Sequence, residues 1–436
     1  MKKANLRKIL TVVLTLLLAC VLIMSLAACG NKGGEEQKPA VTKKDPVSKF
    51  DSGSGWPELA QPLSWDAINA FPIKSKDMPL EDARQLCVDF FRFTKTAVWI
   101  PNDDYSAFHD YGNTREFTMN GGAVYGGLPY ISMASGSIYR LMDFMDEETG
   151  VVDVKAAGAN PKVFGNQCSF GSYWGWARVI NSPDYNWTEN MVVKSGFLRV
   201  GPYTYDDMIV GLGTGNTTTQ IIEQNGDEVM FESYALLKTG DGIVQWTTAG
   251  HVVMIASDAV VVRSADGKID PEQSYVTVID QGQSWANGKN EAGDQYLFQN
   301  RVDAKLTFNQ LRNGVYIPFT YAEWLGTDPI EDTETSFSHT GDSITFEQLF
   351  NSKVSSNYGL SDIYAYVYDG AGNEVCKIAN HVPEDGYKEL RFYKQGGSVY
   401  TWGNPDELKP ADGYTVKIVA QLGTGERPTL WEGKLA

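Results

Sequence analysis

Histidine is almost missing from this chain, with four in 436 residues, and cysteine is scarce at five. No HExxH, no paired CxxC and no GxxxxGK occurs, so zinc-hydrolase, zinc-ribbon and P-loop chemistries have no residues to stand on, and neither a metal nor another cofactor is expected. Gly211-Leu-Gly-Thr-Gly-Asn216 is glycine-rich but lacks the lysine and helix of a phosphate loop, and reads as a surface turn. Cations are outnumbered, 37 Lys and Arg against 54 Asp and Glu, for a net charge of -17. Four of those cations, Lys2, Lys3, Arg7 and Lys8, crowd the first residues. The remainder is more acidic still, which argues against a nucleic-acid partner and has a plain second meaning as solubility. Long apolar runs are also lacking, save one from Ile9 to Ala28.

That run, behind its four cations, has the layout of a secretory signal over residues 1–28. Leu26-Ala27-Ala28-Cys29-Gly30 closes it and resembles the bacterial lipobox, which implies lipidation at Cys29 and a membrane-anchored, extracytoplasmic protein. The other reading is an uncleaved anchor, since the run is near the ~20 residues a spanning helix needs. Residues 29–55 are rich in Gly, Lys, Glu, Pro and Ser and form a tether too polar to fold.

With 42% apolar and 12% aromatic residues the rest can bury a sizeable core. Leu80 to Phe93 reads as an amphipathic helix following Asp77 and Pro79. Further helices are expected over Ser137 to Asp146 and from Cys168. Strands are expected from Met191 onward: Val192 to Lys194, Gln220 to Glu223, Gly242 to Trp246, His251 to Ala256, Val260 to Arg263 and Tyr275 to Ile279. Helices first and strands after predict an α+β domain over 56–332. A charged, aromatic-poor stretch, Thr327 to Asp342, reads as a linker. Beyond it, short strands at Ser343 to Glu347, Ser361 to Asp369, Glu374 to Ile378, Glu389 to Tyr393 and Gly413 to Ala420 predict an all-β sandwich over 341–436, which resembles immunoglobulin-like modules in layout.

Cys20 lies in the signal and Cys29 at the lipid site, which leaves Cys87, Cys168 and Cys376. Three is odd, so at least one is a free thiol. Cys87 falls in the first helix and Cys376 in a strand, where cysteine behaves as a small hydrophobe. Cys168 differs. It follows Gly165-Asn166-Gln167 and heads an aromatic helical run, where the positive end of the helix dipole favours thiolate, and its own backbone N–H is placed to serve as an oxyanion donor. Of the histidines, His339 and His381 lie in or beyond the linker and His109 in a polar loop. His251 follows Thr247-Thr-Ala-Gly250 and heads an apolar strand. A cysteine on a helix start with a histidine on a strand start is what a thiolate–imidazolium pair requires.

Leu237-Lys-Thr-Gly-Asp-Gly-Ile-Val-Gln-Trp246 followed by Gly250-His-Val-Val-Met-Ile255 resembles the Leu-Lys-Pro-Gly-Asp then Gly-His-Val pattern of NlpC-type cell-wall peptidases, which have a papain-like fold. Gly127-Leu-Pro-Tyr130 is similar to their Gly-x-Pro-Tyr element, and Asn166-Gln-Cys-Ser169 to their Asp-Cys-Ser nucleophile motif. The resemblance spans about Gly126 to Gln281 and implies a cysteine hydrolase with Cys168 as nucleophile and His251 as base, acting on amide bonds of peptidoglycan stem peptides. It also implies a third group to orient the imidazole. The Tyr275–Ile279 strand ends at Asp280 and Gln281, and a likeness to the related CHAP amidases favours Asp280 over Gln281. Tyr130 and Gln167 are candidates for substrate binding or the oxyanion site. The chain departs from the family at Gln167, where Asp is usual, and in the spacing of Cys168 and His251, which stand 83 positions apart and so suggest a strand-rich insertion near 181–224. Two alternatives stay open. One is a non-catalytic receptor or adhesin whose Trp174, Trp176, Trp246 and Trp285 line a ligand groove; the other is a papain-like enzyme acting on proteins or acyl esters.

Overall fold

The computed structural model describes residues 61–436, apart from 109–115, 132–133, 160–163, 182–187, 189–190, 192–195, 206–216, 248–249, 283–285, 290–294, 299–300, 382–387, 393–398 and 410–412. The signal, the lipid site Cys29 and the tether lie outside the described residues, as do the strand expected at Val192 to Lys194, the Gly211 turn and Trp285. Among the described residues no helix is long and apolar enough to cross a membrane.

The described fold is a mixed α+β structure with several sheets and few helices. Its organising element is the helix Leu80–Thr96, which is apolar on more than one face. Cys87, Val88 and Phe91 enter a core with the main sheet, while Phe90 and Phe93 enter a second core with Trp99, Tyr125 and Tyr139. Amphipathicity holds only for its first turns, where Leu80, Glu81, Asp82 and Gln85 face solvent. Charged residues are nonetheless drawn inside with it. Arg84 is buried against Asp241, at 2.9 Å, and Lys95 is fully buried.

The main sheet has six strands in the order Ala304–Thr307, Tyr275–Ile279, Gly250–Val260, Gly242–Trp246, Ile317–Thr320 and Leu198–Arg199. All neighbours are antiparallel. Its central strand is buried on both faces from Val252 to Ala256, within the same core as the Leu80–Thr96 and Thr217–Asn225 helices. A second, mixed sheet joins Val98–Pro101 antiparallel to Val124–Gly126 and parallel to Val151–Val152.

Three expected strands are otherwise. Val260 to Arg263 is no strand of its own, since Val260 ends the Gly250–Val260 strand and Arg263 makes only a single bridge to Ile269. Gln220 to Glu223 belongs to the helix Thr217–Asn225, whose buried residues Thr217, Thr218, Ile221 and Ile222 recur at helical spacing despite their β-branched side chains. Ser343 to Glu347 splits into a two-residue strand and a helix, Phe346–Asn351, started by a capping box between Thr345 and Gln348. The region read as a linker contains the strand Thr335–Phe337, paired with Lys353–Ser356.

The C-terminal part folds as a six-stranded sheet, in which Leu360–Tyr368 lies between Thr415–Leu422 and Glu374–Asn380, and a three-stranded sheet centred on Lys353–Ser356. Ile363, Ala365, Val367, Ile378, Val416 and Ile418 fill a core that also takes Val354 and Leu390 from the small sheet. The other face of the same strand is also buried. Arg140, on the helix Ile138–Met142, donates to Asp362 at 3.0 Å and to the Ser361 carbonyl at 2.9 Å, while Tyr364 donates to Asp143 at 2.9 Å. The described residues belong to one compact unit, and the part expected as a sandwich is joined to the rest by a buried polar seam.

Candidate functional site

Cys168 is the first residue of the helix Cys168–Trp176, preceded by Gln167 in extended conformation (φ -97°, ψ 177°). The Gln167 N–H is held by the Ala134 carbonyl at 3.1 Å, and Asn166 pairs with both Tyr130 and Ser135 through single bridges. These contacts stop the chain from continuing as a strand and turn it into the helix. The helix then wedges between the Leu80–Thr96 helix and the central strand. Gly175 makes that approach close, since a Cβ there would lie 2.7 Å from Phe91 Cβ and 2.8 Å from Met254 Cε. The Cys168 side of the helix is thereby pressed towards the start of the Gly250–Val260 strand, and its Sγ lies 3.9 Å from the Gly250 carbonyl oxygen.

His251 is the second residue of that strand, paired across to Gln245. On its other side the register sets Met254 opposite Ile279, so the residue after the Tyr275–Ile279 strand arrives level with the imidazole. That residue is Asp280. Its Oδ2 lies 2.8 Å from His251 Nε2, with the carboxylate 2% and the imidazole 20% exposed. The thiol of Cys168, which points to the Gly250 carbonyl beside this histidine, acts electrostatically on the same imidazole. Nε2 is engaged by Asp280, so Nδ1 is the ring nitrogen left for the thiol. Burial works against the imidazolium, yet the Asp280 hydrogen bond and the charge of Cys168 hold its pKa well above the ordinary value. Burial likewise works against the Asp280 carboxylate, but the His251 hydrogen bond and the charges of His251 and Arg301 keep its pKa down at about 2.

The structure therefore brings Cys168, His251 and Asp280 to one place, with the thiol at the residue before His251 and the carboxylate on its ring. Gln281 is fully buried and turned to other work: its Oε1 accepts from Lys95 Nζ and its Nε2 donates to the Leu128 carbonyl at 3.0 Å. Tyr130 is buried in the same core as Cys168. The side chain of Gln167 donates to Ser169 Oγ at 3.2 Å. All three remaining cysteines are free and buried, and Cys168 is 5% exposed. Burial pushes the Cys87 thiol far up and the Cys376 thiol up to about 11, so those two are inert small hydrophobes at neutral pH.

Two neighbours escaped the sequence reading. Arg301 reaches Asp280 Oδ2 through Nε at 2.8 Å and Nη2 at 2.6 Å, and its backbone N–H donates to Oδ1 at 2.8 Å. Nothing local in the sequence marks it, because it follows a turn-rich segment 21 residues downstream. Lys95 does carry a signal. It continues the inward stripe of Cys87, Val88 and Phe91 at helical spacing, and a lysine there must be buried. Of the four tryptophans considered for a ligand groove, Trp174 and Trp176 are buried, at 2% and 0% exposed, and donate to the Ser135 and Gly240 carbonyls, so these two line no groove. Among the described residues no group of three or more His, Cys, Asp and Glu is placed to hold a metal ion. No protein-family model matches the chain, and no curated protein does so.

Proposed function

We propose that this protein is a papain-like cysteine hydrolase of the NlpC type that cleaves amide bonds in peptidoglycan stem peptides, carried outside the cytoplasmic membrane by a lipid on Cys29 and followed by an immunoglobulin-like module. The observation that carries the reading is the Cys168 thiol at the Gly250 carbonyl, next to a His251 imidazole that is paired with the Asp280 carboxylate at 2.8 Å. A helix-start thiol, a strand-start imidazole and a strand-end acid meet from three separate elements, as nucleophilic catalysis by cysteine requires.

In this reading the Cys168 thiolate attacks the amide carbonyl carbon. The oxyanion is met by backbone N–H at the head of the helix, where no intrahelical acceptor competes for it. As the C–N bond breaks, His251 gives its proton to the leaving amine, and the acyl group stays on sulfur as a thioester. Water then enters, His251 takes one of its protons, and the carboxylate leaves as the thiol is restored. Asp280 fixes the ring and stabilises its charged form throughout.

The test is digestion of purified peptidoglycan with mass analysis of the released fragments. The parent protein is expected to release peptides with new amine and carboxylate ends, and Cys168→Ala to release none while keeping its fold. Absence of release, together with alkylation of Cys168 no faster than that of Cys87 and Cys376, would overturn the reading. Release of acyl groups or protein fragments in place of muropeptides would keep the chemistry and replace the substrate.

A further inference from the structure

The carboxylate that faces His251 is shared. Asp280 Oδ2 accepts from Arg301 Nε and Nη2 as well as meeting the imidazole, and Arg301 Nη2 lies 3.2 Å from His251 Nε2 itself. The guanidinium is one third exposed, so it sits at the wet edge of the trio, and it also interacts electrostatically with Tyr316, whose ring meets the imidazole edge-on at 6.4 Å. When Nε2 carries a proton, two cations stand side by side and draw on one carboxylate oxygen. We infer that Arg301 is a positioning residue that sharpens the acidity of the His251 imidazolium, acting through Asp280 and by direct repulsion, so that the proton passes more readily to a leaving amine.

The orienting of Asp280 does not need the guanidinium. The Arg301 backbone N–H holds Oδ1 at 2.8 Å, and the Asp280 N–H is returned to the Arg301 carbonyl at 3.0 Å. Changing the side chain leaves both bonds in place, and what it removes is charge. The other groups that bear on His251 stay as they were: the Cys168 thiol on its helix, Tyr316 ahead of the Ile317–Thr320 strand, and Lys95 on the Leu80–Thr96 helix, whose amine feels Asp280. A like charge near a cation favours its neutral form, so removing Arg301 leaves the imidazolium a weaker acid.

The inference rests on the proposed hydrolase for its catalytic meaning, but its first readout does not. The full chain, Arg301→Gln, Arg301→Ala and Arg301→Lys are compared by the pH dependence of Cys168 alkylation with iodoacetamide and by NMR titration of His251, one of four histidines. In the neutral variants the alkaline loss of the imidazolium proton should move up by roughly one pH unit, while Arg301→Lys stays close to the parent. If peptidoglycan is cleaved, kcat should fall about tenfold in the neutral variants with KM little changed. An unmoved titration in Arg301→Gln, or a loss of stability with no shift, would overturn the inference, and Arg301→Gln keeps the test open should Arg301→Ala not fold. Shifted titration without any hydrolysis by the parent would sink the hydrolase reading alone.

Discussion

At the scale of single residues, the scarcity of histidine and free cysteine made two members of the proposed trio legible, because few candidates had to be separated. The third was not decided by the strand's end, where Asp280 and Gln281 are adjacent; the antiparallel register and the pull of Lys95 on Gln281 separate them. Asp280→Asn should lower the maximum rate by one to two orders of magnitude, on the scale of a lost orienting group. It should also shift the alkaline limb of the activity bell to lower pH, because it removes the carboxylate that holds the imidazole's pKa up. Gln281→Ala should do little to the pH profile and more to stability. The reverse pattern would make Gln281 the third member. Lys95 yields a separate prediction. Burial lowers its pKa from 10.5 to about 7, partly offset by Asp280. Its folded value lies below its unfolded one, so the unfolded chain binds more protons between those two pH values. The penalty is therefore full below about pH 7 and fades as pH rises towards 10.5. Relative to the parent, Lys95→Met should gain denaturant midpoint at pH 6 and lose that advantage by pH 10. A difference that does not change with pH would mean that the amine is not buried as described.

The helices and strands were legible where period and caps agreed. Leu80 to Thr96, Cys168 to Trp176 and the Gly242, His251 and Tyr275 strands lie close to where their patterns placed them. Where a β-branched composition conflicted with helical spacing, as in Thr217–Asn225, the spacing of buried residues decided the outcome. Thr345-x-x-Gln348 was a start signal inside what looked like a strand. What no pattern reveals is how closely two elements approach. Gly175 sets that distance for the Cys168 helix, so Gly175→Ala must push it off Phe91 and Met254. We expect a loss of about 1–3 kcal/mol in chemical denaturation, the usual cost of overpacking. Activity should fall further than the residual folded fraction explains, because the thiol is displaced along with its helix. Full activity in a destabilised Gly175→Ala would show that the helix can yield without moving Cys168.

At the scale of the whole molecule, Ser361 to Asp369 read as a strand of a sandwich set apart by a linker, yet its Asp362 and Tyr364 are buried against Arg140 and Asp143. Single-strand patterns cannot distinguish water from a partner that is itself polar. His381 completes the seam, bonded through Nδ1 to Asp362, and Lys377 reaches Asp143 at 2.7 Å. Asp362→Ala strands the buried Arg140 guanidinium and should cost about 3–5 kcal/mol in thermal or denaturant unfolding. Removing residues 341–436 should give a product of low stability, in place of the freely separable domain that the linker composition implied. A truncated chain that melts with the parent would refute this. The same end of the molecule also touches the nucleophile helix. Arg178, just past that helix, donates to Tyr139 at 3.0 Å and packs on Gly425, where φ of +93° and the absence of a Cβ leave room for the guanidinium. Asp362 is 222 residues beyond Arg140 in the chain. A chain emerging N-terminus first therefore possesses Cys168, His251 and Asp280 well before it possesses the strand and turn that bury these two arginines. Until that strand and turn are in place, Arg140 and Arg178 lack the segments that bury them in the finished fold.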